Sequence, residues 1–274
     1  MSRLRAVGDA VSDAAVVARR NLIKIKRVPD LLVFTTLSPI MFVLLFAYVF
    51  GGAIDPRGGG AAYREFLIAG IFAQTVVFGA TNTGAGLAED VKKGIIDRFR
   101  SLPMSPSAVL TGRTLSDVVN NVIVLVVMSV TGLLVGWRIH GSVGAALGGF
   151  ALLLVFAYAI SWVMAFVGLL VPSPEVINNA AFIVIFPLTF VANTFVPLGT
   201  LPAPLRVFAE WNPVSAVTQA ARDLFGNADP NPGVAPSTAW SLVHPQLYTL
   251  IWSVAVVAVF APLAGAQYRR AASR

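Results

Sequence analysis

Six runs of about twenty mostly apolar residues, the length that crosses a bilayer, follow one another along this chain. They cover roughly Leu31–Gly52, Phe66–Leu87, Asp117–Gly136, Val143–Val171, Val176–Val196 and Pro245–Gln267. Of all 274 residues, 57% are hydrophobic and 12% are charged. A soluble domain of that size needs a more polar surface. The pattern predicts an all-α integral membrane protein with six transmembrane helices over residues 31–267, because only helices or closed barrels satisfy their backbone in lipid.

Lys and Arg set the orientation. With both termini cytoplasmic, the N-terminal segment (seven), Lys92 to Arg113 (five) and the C-terminal tail 268–274 (three) lie inside, and Arg57, Arg64, Arg138, Arg206 and Arg222 lie outside. That bias favours a multi-pass protein of the plasma (inner) membrane with both termini in the cytoplasm. The loop Val171–Glu175 is predicted inside although it carries no Lys or Arg. The net charge of +7 flanks the apolar runs and forms no phosphate-binding groove, so nucleic acid is not expected as a partner. There is no cysteine and there are two histidines, His140 and His244. These read as loop residues, since a zinc site gathers three or four ligands.

Residues 1–30 read as a cytoplasmic amphipathic helix lying on membrane lipid. Leu4, Val7, Val11, Ala18, Leu22 and Ile25 share a face at helical spacing, and Arg5, Arg19, Arg20, Lys24 and Arg27 lie elsewhere. Pro29 ends it. A solvated basic tail is the plainer alternative. Pro197–Gln246 is the longest non-spanning segment and holds eight prolines. Its first part, 197–226, is too apolar for an ordinary loop. It reads as an outer re-entrant or interfacial helical segment, with pieces near Ala203–Ala209 and Val214–Phe225.

Between the second and third spans the chain is densely charged: seven of the twelve residues Glu89–Arg100 carry charge. The spacing predicts a short amphipathic helix within 89–103, stopped by Pro103 and Pro106, with Ile95, Ile96, Phe99 and Leu102 on one side. Lys93 and Asp97 stand at pairing distance on another. A partner's pocket would accept such an aromatic edged by charge. A loop whose charges only enforce topology fits these residues equally well.

The stretch Lys93–Arg113, KGIIDRFRSLPMSPSAVLTGR, resembles the loop after the second span of type-2 ABC exporter permeases, above all the daunorubicin-resistance branch. Asp90, Lys93, Gly94, Asp97, Arg98 and Pro103 supply that loop's pattern. Lys92 departs from it, standing where many members carry an acid. The segment Phe195–Phe225 is similar to the outer segment of the same permeases at Phe195, Pro197, Pro202, Asn212, Pro213 and Arg222.

The resemblance implies a permease dimer, made by a second copy or a sister permease, bound to two ATPase subunits. It makes the charged loop a cytoplasmic coupling helix that docks in the ATPase. Phe99 and Ile96 would be its anchors, and Glu89, Lys93, Asp97 and Arg98 would set its register. No P-loop sequence occurs. The chain is therefore expected not to be an enzyme by itself and to bind no cofactor, with ATP and Mg held by the partner.

Polar residues inside spans are costly and mark candidate paths. Gln74, Thr75 and Asn82 in the second span and Asn178, Asn179, Thr189 and Asn193 in the fifth lie among Phe78 and Phe186. The resemblance puts the route along the first, second and fifth spans, and such a lining suits an amphipathic drug or lipid. Hydrogen bonding between helices is the equal alternative. Asp117 is expected to pair with Arg113 at the i,i+4 spacing, and Gly132 with Gly136 to form a close-packing G-x-x-x-G.

Amphipathic drug or lipid export leads. Export of a polysaccharide or lipid-linked glycan by the same machinery is the alternative. A gradient-driven transporter without an ATPase would need an internal symmetry that the sequence does not display. A membrane enzyme would need clustered catalytic side chains.

Overall fold

The computed structural model describes residues 29–50, 60–96, 106–171, 173–227 and 237–271. The amphipathic helix expected over 1–30 lies outside these residues apart from its last two. Asp97, Arg98, Phe99 and Pro103 of the charged loop also lie outside them.

Every long described element is a helix. In chain order they are α1 (Pro29–Leu44), continued by a π-helical turn Leu45–Phe50, then α2 (Ala61–Gly79), α3 (Thr81–Lys92), α4 (Pro106–Val135), α5 (Val143–Leu170) and α6 (Pro174–Val191). A 3-10 turn at Leu198–Thr200 leads to α7 (Ala203–Trp211), α8 (Pro213–Phe225), α9 (Trp240–Val243) and α10 (Pro245–Ala271). Among the described residues, five stretches are long and apolar enough to cross a membrane: Ala61–Lys92, Val109–Val135, Val143–Leu170, Pro174–Val191 and Pro245–Arg270. The expected first span is helical over Pro29–Phe50, and its described apolar part, Thr36–Val49, is shorter than these.

Two boundaries differ from expectation, and a third, the end of α4, falls where the sequence puts it. The second span runs on to Lys92, so Glu89 and Asp90 close a spanning helix instead of opening a separate one. Lys93 and Gly94 then turn the chain, and Gly94 has φ +63°, a left-handed conformation that glycine adopts without a Cβ penalty. The fifth span stops at Val191, before Asn193. Gly136, at φ +105°, terminates α4, and the Trp137 amide donates to the Gly132 carbonyl at 2.9 Å. Of the G-x-x-x-G pair, Gly132 makes the closer approach to α2, where a Cβ would lie 3.2 Å from Ile68, while one on Gly136 would lie 3.6 Å from Arg64 Nε.

The core is built around α2 and α3. Phe66, Leu67, Ile68, Ile71 and Phe72 are all buried, and α2 packs against α4, α5 and α8. At one end Phe72, Trp137, Phe150 and Phe225 meet edge to face or tilted, with Trp137 and Phe225 centroids 5.4 Å apart. At the other, charged-loop end, Leu87, Ile96, Leu110, Trp162, Leu169 and Tyr268 form a second cluster. Helices α3 and α5 cross almost backbone to backbone. A Cβ on Gly168 would overlap Gly84, and one on Gly84 would lie 2.8 Å from the Met164 carbonyl. Small residues permit such approach, and van der Waals contact then holds helices together in lipid.

Candidate coupling and pathway sites

At the charged-loop end, Lys93 is exposed and its ammonium donates to Glu89 Oε1 at 2.6 Å. That hydrogen bond holds the Lys93 ammonium above its usual range. Lys93 thus has a partner within its own turn; the expected pairing with Asp97 lies outside the described residues. Asp90 is buried, and Ile96 is only 4% exposed, packed inward with Leu87, Val109 and Leu110. Ile96 therefore ties the loop to the bundle and offers no free anchor. Exposed Glu175, at the start of α6, lies within electrostatic reach of Lys92, which puts the loop before α6 at this same end.

The candidate pathway residues separate into three groups. Gln74 and Thr75 are buried in the middle of α2. Asn82 on α3 and Asn178 and Asn179 on α6 are exposed, and these two helices pack together. Thr189 donates to its own helix at Ile185 O, 2.9 Å away, and Asn193 is locked in a network after α6. Phe78 and Phe186 are half-buried.

Phe186 belongs to a continuous row of rings. Successive centroids are 4.9 Å apart for Phe182–Phe186, 4.2 Å for Phe186–Phe190 and 4.7 Å for Phe190–Phe195. The row then crosses to the first helix through Phe46 at 4.5 Å, with Phe42 beyond it at 6.1 Å. It joins α6 to the π-helical turn after α1, the kind of irregular turn that often marks functional places. The spacing of four between Phe182, Phe186 and Phe190 was the sequence signal for it.

At the opposite end, the segment from Leu198 to Phe225 is held by one buried cation. Asn212 caps α8 by accepting from the Val214 amide at 2.9 Å, Pro213 takes the first helical position, and Gly226 at φ +73° ends the helix. The α8 helix carries Arg222 inward, where it is 1% exposed. Its guanidinium donates to Asn193 Oδ1 (2.8 Å), Asn193 O (2.6 Å), Thr194 O (3.3 Å) and Phe66 O (3.0 Å), and lies 3.4 Å above the centre of the Phe66 ring. The Asn193 amide passes the connection to Gln219 at 3.1 Å, and Gln219 donates to Asp223 at 2.9 Å. Gly70 makes room for the turn, since a Cβ there would overlap the Thr194 carbonyl. Sequence reasoning identifies Arg222 by its motif but misses this role. The one basic residue of the helix that follows the Asn212-Pro213 cap was the available sign.

Next to it, the Trp137 indole donates to Asn227 at 2.8 Å, and the amides of His140 and Gly141 both donate to Phe225 O. His140 Nε2 lies 2.8 Å from Glu65. No group of three or more His, Cys, Asp or Glu residues suited to a metal occurs among the described residues.

The sequence pattern of the ABC-2 type transporter family matches residues 13–225. The chain belongs to that family. It is 35% identical to the daunorubicin resistance ABC transporter permease protein DrrB1 of Streptomyces coeruleorubidus, over 95% of this chain and 87% of that protein. It is 26% identical to the doxorubicin resistance ABC transporter permease protein DrrB of Mycobacterium tuberculosis, over 84% and 80%. A putative transport permease of Pyropia yezoensis, ycf38, is 25% identical over 81% and 76%. As an ABC-2 transporter family protein with five stretches among the described residues apolar enough to span, the chain is a multi-pass membrane protein. The resemblance to the daunorubicin-resistance branch is borne out.

Proposed function

We propose that this chain is the permease of an ATP-driven exporter that carries amphipathic drug- or lipid-like molecules out of the cytoplasm or inner leaflet. The observation that carries this reading is the 35% identity, over 95% of the chain, to a daunorubicin resistance permease. ATP and Mg would sit on a separate ABC ATPase subunit, as family membership implies. The helix Pro29–Phe50 would complete six spans, with both termini in the cytoplasm of a plasma-membrane protein. The permease would act as a pair, either of two copies or with a sister chain.

The charged loop, from the Lys93–Gly94 turn to Pro103, would dock on the ATPase. Phe99 and Arg98 would touch the partner, while Ile96 binds the loop to the bundle. The row of rings from Phe42 to Phe182 and the exposed amides Asn82, Asn178 and Asn179 would line the path. This lining is apolar with few polar groups, which suits an amphipathic ligand.

Affinity purification of the intact chain from its own membranes tests the proposal. A stoichiometric P-loop ATPase is expected among the co-purifying proteins. Because the chain has no cysteine, a crosslink from Phe99→Cys to that subunit can start only at position 99. Purification with no ATPase after gentle solubilisation would return the gradient-driven reading.

A further inference from the structure

Helix α4 presents one polar side to α2 and α3, spaced by four residues: Arg113, Asp117 and Asn121. Small residues stand opposite it. A Cβ on Gly79 would lie 2.6 Å from Asn121 Oδ1, and one on Gly86 would overlap the Arg113 guanidinium. Between those glycines the second span breaks at Ala80, where the Thr81 hydroxyl donates to Phe78 O at 2.7 Å. The guanidinium of Arg113 rests above Gly86 and donates to the backbone carbonyl of Asn82 at 3.1 Å.

This arrangement leaves opposite charges apart. Asp117 is 8% exposed, and its Oδ2 has no hydrogen-bond partner among the described residues; Arg113 Nε is likewise buried without one. The two side chains sit one helical turn apart, within mutual reach. Leaving a buried carboxylate oxygen unmatched beside an unmatched guanidinium N–H is costly in a low dielectric. The seat over Gly86 and the Asn82 carbonyl are what keep Arg113 away.

We infer that Arg113 is a positioning residue with two seats: in one it holds α3 through the Asn82 carbonyl, and in the other it pairs with Asp117 and lets α3 go. Helix α3 runs from the break at Ala80 into the charged loop. The exchange therefore sets how firmly the loop's supporting helix is fixed to α4. Its place in a transport cycle rests on the exporter reading; the exchange itself does not.

The test uses spin labels on Lys92→Cys and Leu134→Cys, both exposed positions, in the full chain in phospholipid vesicles without nucleotide or partner. The cysteine-free sequence makes these the only labels. The unmodified background should show one main distance and a minority on the order of 1–10%. Gly86→Ala, which fills the seat, should raise the minority severalfold. Asp117→Asn should reduce it, and Gly86→Ala with Asp117→Asn should lose most of the Gly86→Ala increase. Arg113→Gln should release α3 with or without Gly86→Ala, which covers poor insertion of the alanine variant. An unchanged distribution in Gly86→Ala, or an increase indifferent to Asp117, would overturn the inference. Neither result depends on finding an ATPase, so failure of the exporter reading is separately visible.

Discussion

Arg222 joins three parts of the chain that are distant in sequence: α2 through Phe66, the turn after α6 through Asn193 and Thr194, and α8 itself. Its fork matches several oxygens at once, which a lysine ammonium cannot do in this planar arrangement. Arg222→Met would leave the Asn193 and Thr194 acceptors buried without their donor, at about 1–3 kcal/mol for each unmatched group. A loss on the order of 3 kcal/mol or more is expected, with Arg222→Lys intermediate. The thermal unfolding midpoint of the purified protein in detergent checks it, and equal midpoints for wild type and Arg222→Met would dismiss the clamp. The same residue marks a limit of sequence reading. The local motif around it is plain, but its partners lie 28 to 156 positions away, and no local pattern encodes them.

Elements were legible where backbone chemistry punctuates them. Pro202, the Asn212-Pro213 cap and Gly226 delimit α7 and α8 close to where the sequence puts them. The charged loop was less legible because charge density and helix boundary do not coincide. Glu89 and Asp90 begin the charge yet complete a spanning helix, and Gly94 ends it; Gly94 was the better signal. The pairing of Arg113 with Asp117 failed as an expectation because helix spacing says which residues share a face but not that Gly86 offers a competing seat.

Helix crossing gives a prediction at this scale. Gly168→Ala in α5 would force a Cβ into Gly84 and should destabilise by about 1–3 kcal/mol through overpacking. Gly148→Ala, in the same helix with nothing within 4 Å of its Cβ, should gain up to about 1 kcal/mol of helix propensity. Opposite shifts of the two unfolding midpoints are expected; shifts of one sign would mean that the crossing does not decide α5's stability.

For the whole molecule, the apolar runs made the membrane class readable, since a period-free apolar stretch needs no tertiary knowledge. Exposed Phe182, Ile183, Val184, Val126 and Val254 carry that class to the surface. Sidedness rests on charge alone. Tags at the N- and C-termini should both be digested by protease in inside-out vesicles and both protected in intact cells. One tag digested in each preparation would demand an odd number of spans.

The clamp around Arg222 also has an order in time. Phe66, Asn193 and Thr194 all precede Arg222 in the chain, so every acceptor described here is synthesised before the cation. When α8 leaves the ribosome, the α2 residues on which it packs have already been made. The last helix, α10, follows all of them in the chain, so the faces of α5 and α8 on which it packs are made before it.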